Sequence, residues 1–287
     1  MGRPPLHEQI NAVNQALVRY QSLSKYLNLH KAILKVREKI EETPTKGTTV
    51  DWSDRSFIKE LEQHARISRR PITRFLDPAI FNESLVLQVC QQVIQVLLKH
   101  GIDETGLKKF SAKLEKGDTD LHALIKAAIK GDTEWLERIG KALEVDLSQL
   151  FFIIGTPIQP CLEEIARRVD PSFLEEWWQA LCPVCGRIPI IAKLKERKRY
   201  LTCMFCGAEY LADLFLCVKC GNADPYTLGF LRSEESPEFR VDFCEKCKHY
   251  MKVIDEGRLK TPIPRGLEDI LTISLDLMAK DAGLMRV

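Results

Sequence analysis

Apolar residues recur at helical spacing through the first 180 residues of the chain, then give way to short alternating runs punctuated by cysteine and glycine. Residues 5–20 and 22–42 each carry an apolar stripe, the second through Ile33, Val36 and Ile40, before Pro44, Thr45, Lys46 and Gly47 interrupt it. A helix is predicted over 55–66, capped by Ser53 or Asp54. The longest apolar stretch, 78–100, runs through Leu85, Val86, Val89, Val93 and Leu97 and reads as a buried helix ended by Gly101. Shorter helices are predicted near 104–115, 118–130, 132–143 and 146–154, with Asp118 and Asp132 as N-caps for two of them. Pro157 is expected to open a further helix over 158–168, and Pro171 one that carries Trp177 and Trp178. Those two tryptophans read as packing residues at a domain junction. His64 and His100 read as solvated helix histidines, and Cys90 and Cys161 as buried, inert thiols.

Beyond residue 181 the pattern predicts two hairpins, 187–194 with 199–202 and 226–231 with 239–243. Residues 265–282 return to helix, with Leu267, Ile270, Leu271, Leu275 and Met278 on one side, and this helix is expected to pack back on what precedes it. The fold class is therefore α+β: an all-α domain over 1–180, two tandem rubredoxin-like or zinc-ribbon-like modules over 181–210 and 211–252, and a C-terminal helix within 253–287.

Composition adds one anomaly to this outline. Among 287 residues, 45% apolar and 29% charged are ordinary values, but eight of the ten cysteines fall within residues 182–247. They form four Cys-x-x-Cys pairs: Cys182/Cys185, Cys203/Cys206, Cys217/Cys220 and Cys244/Cys247. No run approaches the ~18–20 apolar residues of a membrane span, and the first residues carry no apolar signal-like core, so a cytoplasmic chain is expected. In that setting clustered cysteines read as metal ligands before disulfides.

The spacing has a chemical rationale. A Cys-x-x-Cys turn aims two thiolates at one ion, and the residue after the second cysteine favours the left-handed backbone that glycine adopts freely. Gly186, Gly207 and Gly221 fill that place, whereas Lys248 follows the fourth pair and a different geometry is expected there. Seventeen residues separate Cys185 from Cys203 and twenty-three separate Cys220 from Cys244, each interval containing a hairpin, while 207–216 reads as a linker. Pairs one and two are thus assigned to one four-cysteine centre and pairs three and four to a second, with cross-bracing as the alternative. Two metal ions per chain are expected, and zinc and mononuclear iron both accept four thiolates. Thiol–disulfide exchange and an iron–sulfur cluster are the rival chemistries, disfavoured by the repeated knuckle glycines and the absence of a thioredoxin-like βαβ context.

Charge narrows the function classes. Residues 1–180 carry 25 Lys/Arg against 25 Asp/Glu, and residues 181–287 carry 17 against 15, so the basic excess of a nucleic-acid binder is missing. Lys193, Lys195, Arg197, Lys198 and Arg199 form one basic run, which reads as a solvated hairpin tip and keeps a nucleic-acid-binding ribbon as a second hypothesis. A rubredoxin-like electron carrier is a third. No phosphate loop, dinucleotide fingerprint or catalytic triad appears, and no catalytic residue is assigned; the chain reads as a binding protein rather than an enzyme.

The string Leu-Cys-Pro-Val-Cys-Gly-Arg-Ile-Pro at 181–189, the Arg199-Tyr200-Leu201-x-Cys-x-x-Cys run and the Arg240-x-x-x-Cys-x-x-Cys-x-x-Tyr-x-Lys run ending at Lys252 resemble the formate dehydrogenase accessory protein (FdhE) family. The resemblance covers roughly 181–285 and includes the closing helix with Leu275-Asp276 and Gly283. Two positions depart from it: Tyr210 stands where the family usually has Trp, and Leu214-Phe215 where it has an Arg ahead of the third pair. The resemblance implies a cytosolic, non-catalytic assembly chaperone for a molybdenum- or tungsten-dependent formate dehydrogenase, with rubredoxin-like centres and the enzyme's catalytic subunit as partner. A homo-oligomer is compatible with it. It also marks Arg199, Arg240, Tyr250, Lys252 and Asp276 as candidates for client contact, with pairing among themselves, such as Arg240 with Asp276, as the structural alternative.

Overall fold

The computed structural model describes residues 2–43, 45–102 and 104–286; Pro44, named above as a breaker, lies outside the described residues. In chain order the helices are α1 (Leu6–Arg19), α2 (Ser24–Glu41), α3 (Ser56–Ser68), α4 (Glu83–Lys99), α5 (Glu104–Lys116), α6 (Leu121–Lys130), α7 (Thr133–Leu143), α8 (Leu147–Arg168), α9 (Pro171–Glu175), α10 (Glu268–Leu271) and α11 (Ile273–Asp281). The strands are β1 (Ile191–Lys195), β2 (Lys198–Thr202), β3 (Glu209–Ala212), β4 (Leu228–Leu231), β5 (Phe239–Cys244), β6 (His249–Asp255) and β7 (Met285–Arg286). The chain is α+β. It divides into two compact units, one of Pro5–Phe57 and Thr73–Glu164, the other of residues 2–4, Ile58–Ile72 and 165–286. Residues 58–72 and 165–180 thus share a unit with the cysteine segment, a different division from one at residue 180. No single described helix is long and apolar enough to cross a membrane.

In the helical unit α2 packs on α1 and on α4, burying Leu27, Ile33, Leu34 and Ile40 from one and Val86, Val89, Val93 and Ile94 from the other. Start signals are local and mostly legible. Asn82, Asp120 and Asp132 accept hydrogen bonds from the backbone N–H groups of Leu85, Ala123 and Trp135. Asp120, not Asp118, therefore caps α6, because it directly precedes the helix and its carboxylate reaches the Ala123 N–H, one of the first-turn donors without a helical partner. Asp54 accepts from the Ser56 N–H at 2.7 Å at the start of α3.

One expectation fails instructively. The segments 146–154 and 158–168 are a single helix, α8, with Pro157 and Pro160 inside it. A proline leaves the carbonyl four residues earlier without its helical donor. For Pro157 that carbonyl belongs to Ile153, and the Cys90 thiol of α4 donates to it at 3.6 Å. Cys90 and Cys161 are fully buried, and burial pushes both thiols well above the ordinary cysteine value, so neither is a reactive thiol. Further along α8, Glu163 accepts from Arg37 of α2 at 2.7 and 3.2 Å, while Arg37 also bonds Glu41 at 2.8 Å. Both partners are buried to within 1% of complete, so the pair is a fixed cross-brace rather than a surface ornament.

The second unit is organised by one sheet in the order β3-β2-β1-β6-β5-β4, with β7 added beside β6. Hairpins β1–β2 and β4–β5 are antiparallel, in the places the alternation indicated. The β1–β2 connection is a two-residue turn in which Glu196 and Arg197 both take positive φ, 47° and 64°. Two features were not legible. The expected linker 207–216 contains β3, which pairs with β2 through Arg199↔Ala212 to Thr202↔Glu209. More importantly, β1 and β6 pair in parallel, Ile191↔Lys252 to Leu194↔Asp255, fusing the two hairpin modules into one surface.

The closing helix is split into α10 and α11, and it does pack back, with Leu275 and Ala279 against Val241 and Tyr250. It also brings carboxylates to two lysines buried in the neighbouring strands β1 and β6. Lys193 meets Glu268 at 2.9 Å and Glu209 at 3.4 Å. Lys252 meets Asp269 at 2.6 Å and Asp276 at 2.8 Å. Burial raises the Glu209 carboxyl, but Lys193, then Lys195 and Arg265, outweigh it and hold Glu209 below the ordinary glutamate value. α9 ends at Glu175, so the tryptophans lie beyond it: Trp177 is buried and donates from Nε1 to the Leu181 carbonyl, while Trp178 is exposed.

Two outcomes follow from these ion pairs. Glu163→Ala leaves the buried Arg37 with Glu41 as its remaining carboxylate partner and is expected to cost about 3 kcal/mol in denaturant unfolding, whereas Arg37→Met combined with Glu163→Leu recovers most of it. A group with a depressed folded pKa stabilises above its unfolded value and loses that contribution as pH falls through the folded one. Unfolding of the sheet is therefore expected to show an acid limb below about pH 4.3, flattened in Glu209→Gln; circular dichroism against pH reads this directly.

Candidate metal centres

Each Cys-x-x-Cys pair sits on a knuckle closed by a backbone hydrogen bond to the carbonyl of its first cysteine: Gly186 to Cys182, Gly207 to Cys203 and Gly221 to Cys217, each at 2.9 Å. The fourth knuckle was expected to differ because Lys248 replaces glycine. It does not. Lys248 takes the same left-handed conformation, φ 59°, and its N–H meets the Cys244 carbonyl at 2.8 Å. The strain of roughly 1–2 kcal/mol is held in place by that bond and by Met285 of β7, whose N–H donates to the Lys248 carbonyl at 2.8 Å.

The knuckles meet in two groups. The sulfurs of Cys182, Cys185, Cys203 and Cys206 lie within 4.8 Å of one another, as do those of Cys217, Cys220, Cys244 and Cys247. This is the grouping that the interval lengths pointed to, and not cross-bracing. The closest cross-pair separations are 3.4 Å (Cys185–Cys203) and 3.5 Å (Cys182–Cys206) in the first group, and 3.6 Å (Cys217–Cys247) and 3.8 Å (Cys220–Cys244) in the second. A tetrahedron of about 2.3 Å metal–sulfur bonds places neighbouring sulfurs about 3.8 Å apart. A disulfide requires about 2.05 Å. Either group could hold a metal ion, and all eight cysteines are free.

Electrostatics agree with the need for a cation. In the first group burial pushes the Cys182 and Cys206 thiols well up, while hydrogen bonds from Cys182 and then Cys185 hold Cys203 well below the usual range. In the second, burial raises Cys217 to about 12. Cys244 lies at about 7: burial raises it, and the Cys247 N–H, the Asn222 amide and the Lys246 N–H outweigh that. Four close thiols cannot all ionise against one another without a central positive charge.

The two groups are not equivalent. All four cysteines of the first are buried, and residues from elsewhere in the unit close over it: the Ile72 N–H donates to the Pro183 carbonyl at 2.9 Å, and Arg3 donates to the Met204 carbonyl. A Cβ at Gly207 would strike the Arg3 backbone nitrogen at 3.0 Å, so the second knuckle needs glycine for space as well as for φ. In the second group Cys220 is exposed and Cys247 half-buried. Its sulfurs gain a side-chain donor that sequence reasoning missed, Asn222, whose amide lies 3.5 Å from the Cys244 sulfur; its place directly after the knuckle glycine was the available signal.

The residues marked as client candidates are dispersed into internal contacts. Arg199 is buried and donates to the carbonyls of Asp213 and Leu216 at 3.1 and 2.8 Å. Lys252 is buried under Asp269 and Asp276, and Tyr250 donates to Asp276 at 2.6 Å. Arg240 pairs with Asp242 at 2.7 Å, so the Arg240–Asp276 pair does not form; the two belong to different contacts. Arg199, Tyr250 and Lys252 therefore present little surface to a partner, and the half-buried Arg240 and Asp276 present a little more. The basic run dissolves likewise, because Lys193 and Arg199 are buried and Lys195 pairs with Glu209, leaving Arg197 and Lys198 exposed. Tyr210 is fully buried with its hydroxyl on the Ala180 carbonyl at 2.9 Å, so this departure from the family pattern is a packing position.

Fold and site together define an α+β protein with paired four-cysteine modules fused into one sheet. No family model matches the chain. It is 33% identical over 161 residues, 54% of this chain and 56% of that one, to the protein named Protein FdhE homolog of Aquifex aeolicus (strain VF5). It is 30% identical over 141 residues, 46% and 45% of the two chains, to the protein of the same name from Stutzerimonas stutzeri (strain A1501). The matched region spans about half the length of these curated relatives. Its fold is that of the crystal structure of the FdhE protein from Pseudomonas aeruginosa, with a TM-score of 0.59 over 98% of this chain and 93% of that one at 18% identity. Curated homologues of this chain thus carry the FdhE name, and it shares the FdhE fold.

Purified protein is expected to contain two tightly bound ions per chain, measured by elemental analysis and sulfur-edge X-ray absorption. A ratio near one would reject the two-centre arrangement. Because binding releases thiol protons, affinity falls as pH falls. A chromogenic chelator should strip the exposed second centre first, and Cys217→Ser should empty it while leaving the first filled. A single release phase would contradict the burial difference.

Proposed function

We propose that this protein is an accessory factor for formate dehydrogenase, holding one zinc or mononuclear iron ion at each four-cysteine group and binding the enzyme's catalytic subunit during its maturation in the cytoplasm. The observation that carries the reading is the sequence likeness to two proteins named FdhE homolog. The sulfur geometry supports the metal part: Cys182, Cys185, Cys203 and Cys206 would ligate the first ion, and Cys217, Cys220, Cys244 and Cys247 the second. The ions would supply cross-links that fix the knuckles to the strand ends. The chain's own chemistry reads as that of a scaffold: a sheet whose buried lysines are neutralised by carboxylates, together with two four-cysteine groups.

The nucleic-acid alternative loses ground with the basic run, since two of its five charges are buried and a third is paired. An electron-transfer role would draw on the exposed second centre, and a reversible potential with visible colour would mark it.

The test is copurification from the native cell with metal analysis on the same sample. The catalytic subunit of a molybdenum- or tungsten-dependent formate dehydrogenase is expected with the tagged protein, along with two ions per chain. Deleting the gene should lower formate dehydrogenase activity without lowering the subunit's transcript. Normal activity in the deletion strain, with no subunit captured, would overturn the reading.

A further inference from the structure

Three of the four knuckles make their left-handed turn with glycine, whereas the fourth makes it with Lys248 at φ 59°. A side chain is strained there, because its Cβ crowds the next carbonyl oxygen. Residue 248 is gripped through both of its peptide groups. Its N–H donates to the Cys244 carbonyl at 2.8 Å, and its carbonyl accepts from the Met285 N–H at 2.8 Å. Since peptide groups are planar, fixing the two that flank a residue fixes its φ and ψ. The peptide between Lys248 and His249 does more than turn the chain: its carbonyl takes the bond from Met285, while its N–H donates to the Cys247 sulfur. A donor on the carbonyl polarises the N–H on the opposite side of the same peptide and strengthens its bond to a thiolate. Met285 therefore stands one peptide away from a candidate ligand of the second centre.

The brace is itself anchored. After α11, Gly283 takes φ 71° and the Leu284 N–H bonds the Ala279 carbonyl at 2.9 Å, which turns the chain into β7. β7 lies parallel to the start of β6 in the register His249↔Met285 and Tyr250↔Arg286. Arg286 pairs with Asp269 and lies 3.8 Å from Asp276, the two carboxylates that also hold the buried Lys252. Met285 is 51% exposed, and it meets the knuckle through its backbone N–H. We propose that β7 is a clasp on the second four-cysteine centre: Met285 positions the Lys248–His249 peptide against Cys247 and so retains the ion, and loss of the ion releases 284–286. Met285 and Arg286 are positioning residues rather than ligands. The clasp rests on the metal part of the function proposed above and is independent of the partner. The coupling is reciprocal: whatever β7 adds to ion binding, the ion adds to the docking of β7.

The test uses the full-length protein loaded with zinc, with release to a chromogenic chelator followed in time. Met285→Ala keeps the N–H and should release both ions as the unmodified protein does. Met285→Pro lacks the N–H and should lose the second ion about tenfold faster, with release from the first centre unchanged. Adding Lys248→Gly should restore most of the retention, since glycine holds the turn without a brace. A loss caused by general loosening of the fold is not repaired this way. Arg286→Ala leaves every backbone donor in place and should quicken release of the second ion about threefold, which keeps a readout if Met285→Pro fails to fold. In the reverse direction, stripping the second ion alone from the unmodified protein should speed hydrogen exchange at the Met285 amide about tenfold, with the amides of β1 unaffected. Unchanged release from the second centre in Met285→Pro, or in Arg286→Ala where that variant stands alone, overturns the clasp while the metal reading stands. So does a Met285→Pro defect that Lys248→Gly leaves unrepaired, or exchange at Met285 that ignores the ion. Uptake of fewer than two zinc ions by the unmodified protein overturns the metal reading and the clasp with it.

Discussion

The parallel pairing of β1 with β6 is the constraint on which the cysteine-bearing unit depends. Each hairpin module alone is a few short strands with little apolar surface, the kind of element that rarely holds together in water. Joining Ile191–Leu194 to 252–255 puts the two modules side by side and buries Ile191, Ala192, Val253 and Ile254 in the middle of a single sheet. It also buries Lys193 and Lys252 on the same two strands. Those ammonium groups would be severely destabilising unless paired. The return of α10 and α11 with Glu268, Asp269 and Asp276 is the structure's answer, so the C-terminal segment and the sheet junction require each other.

The same junction separates two environments for chemically similar thiols. The first four-cysteine group is buried, with Arg3 and Ile72 bonded to its knuckles; the second is open at Cys220 and Cys247. An identical donor set thus sits in two settings, one closed to solvent and one open to it. Burial, which Cys-x-x-Cys spacing does not encode, makes the difference.

The helical unit answers a parallel problem with different groups. Pro157 and Pro160 inside α8 remove backbone donors from a helix that must also carry Glu163 to Arg37. The Cys90 thiol covers the carbonyl released by Pro157. A cysteine that looked like simple apolar filling is thus a weak but specific donor at a place where the helix lacks one.

Local signals were legible from the chain alone: the helix stripes of α1, α2 and α4, the Asp132 cap, both hairpins, and the grouping of the cysteines by the lengths between them. Each depends on residues close in sequence, where periodicity, a capping carboxylate or a knuckle glycine acts within a turn or two. What the chain could not disclose were the outcomes fixed by partners far along it. The carbonyl that Pro157 releases meets the Cys90 thiol of another helix, and the carbonyl of the left-handed Lys248 meets the Met285 N–H. β3 forms in an apparent linker because β2 offers an edge. Lys193 and Arg199, read in sequence as part of a solvated hairpin tip, and Lys252, read as a client contact or an internal pair, are buried because strands and a returning helix converge on them. Charge and conformational strain are tolerated or not according to what tertiary packing places beside them, and that environment is built only when the distant segments meet.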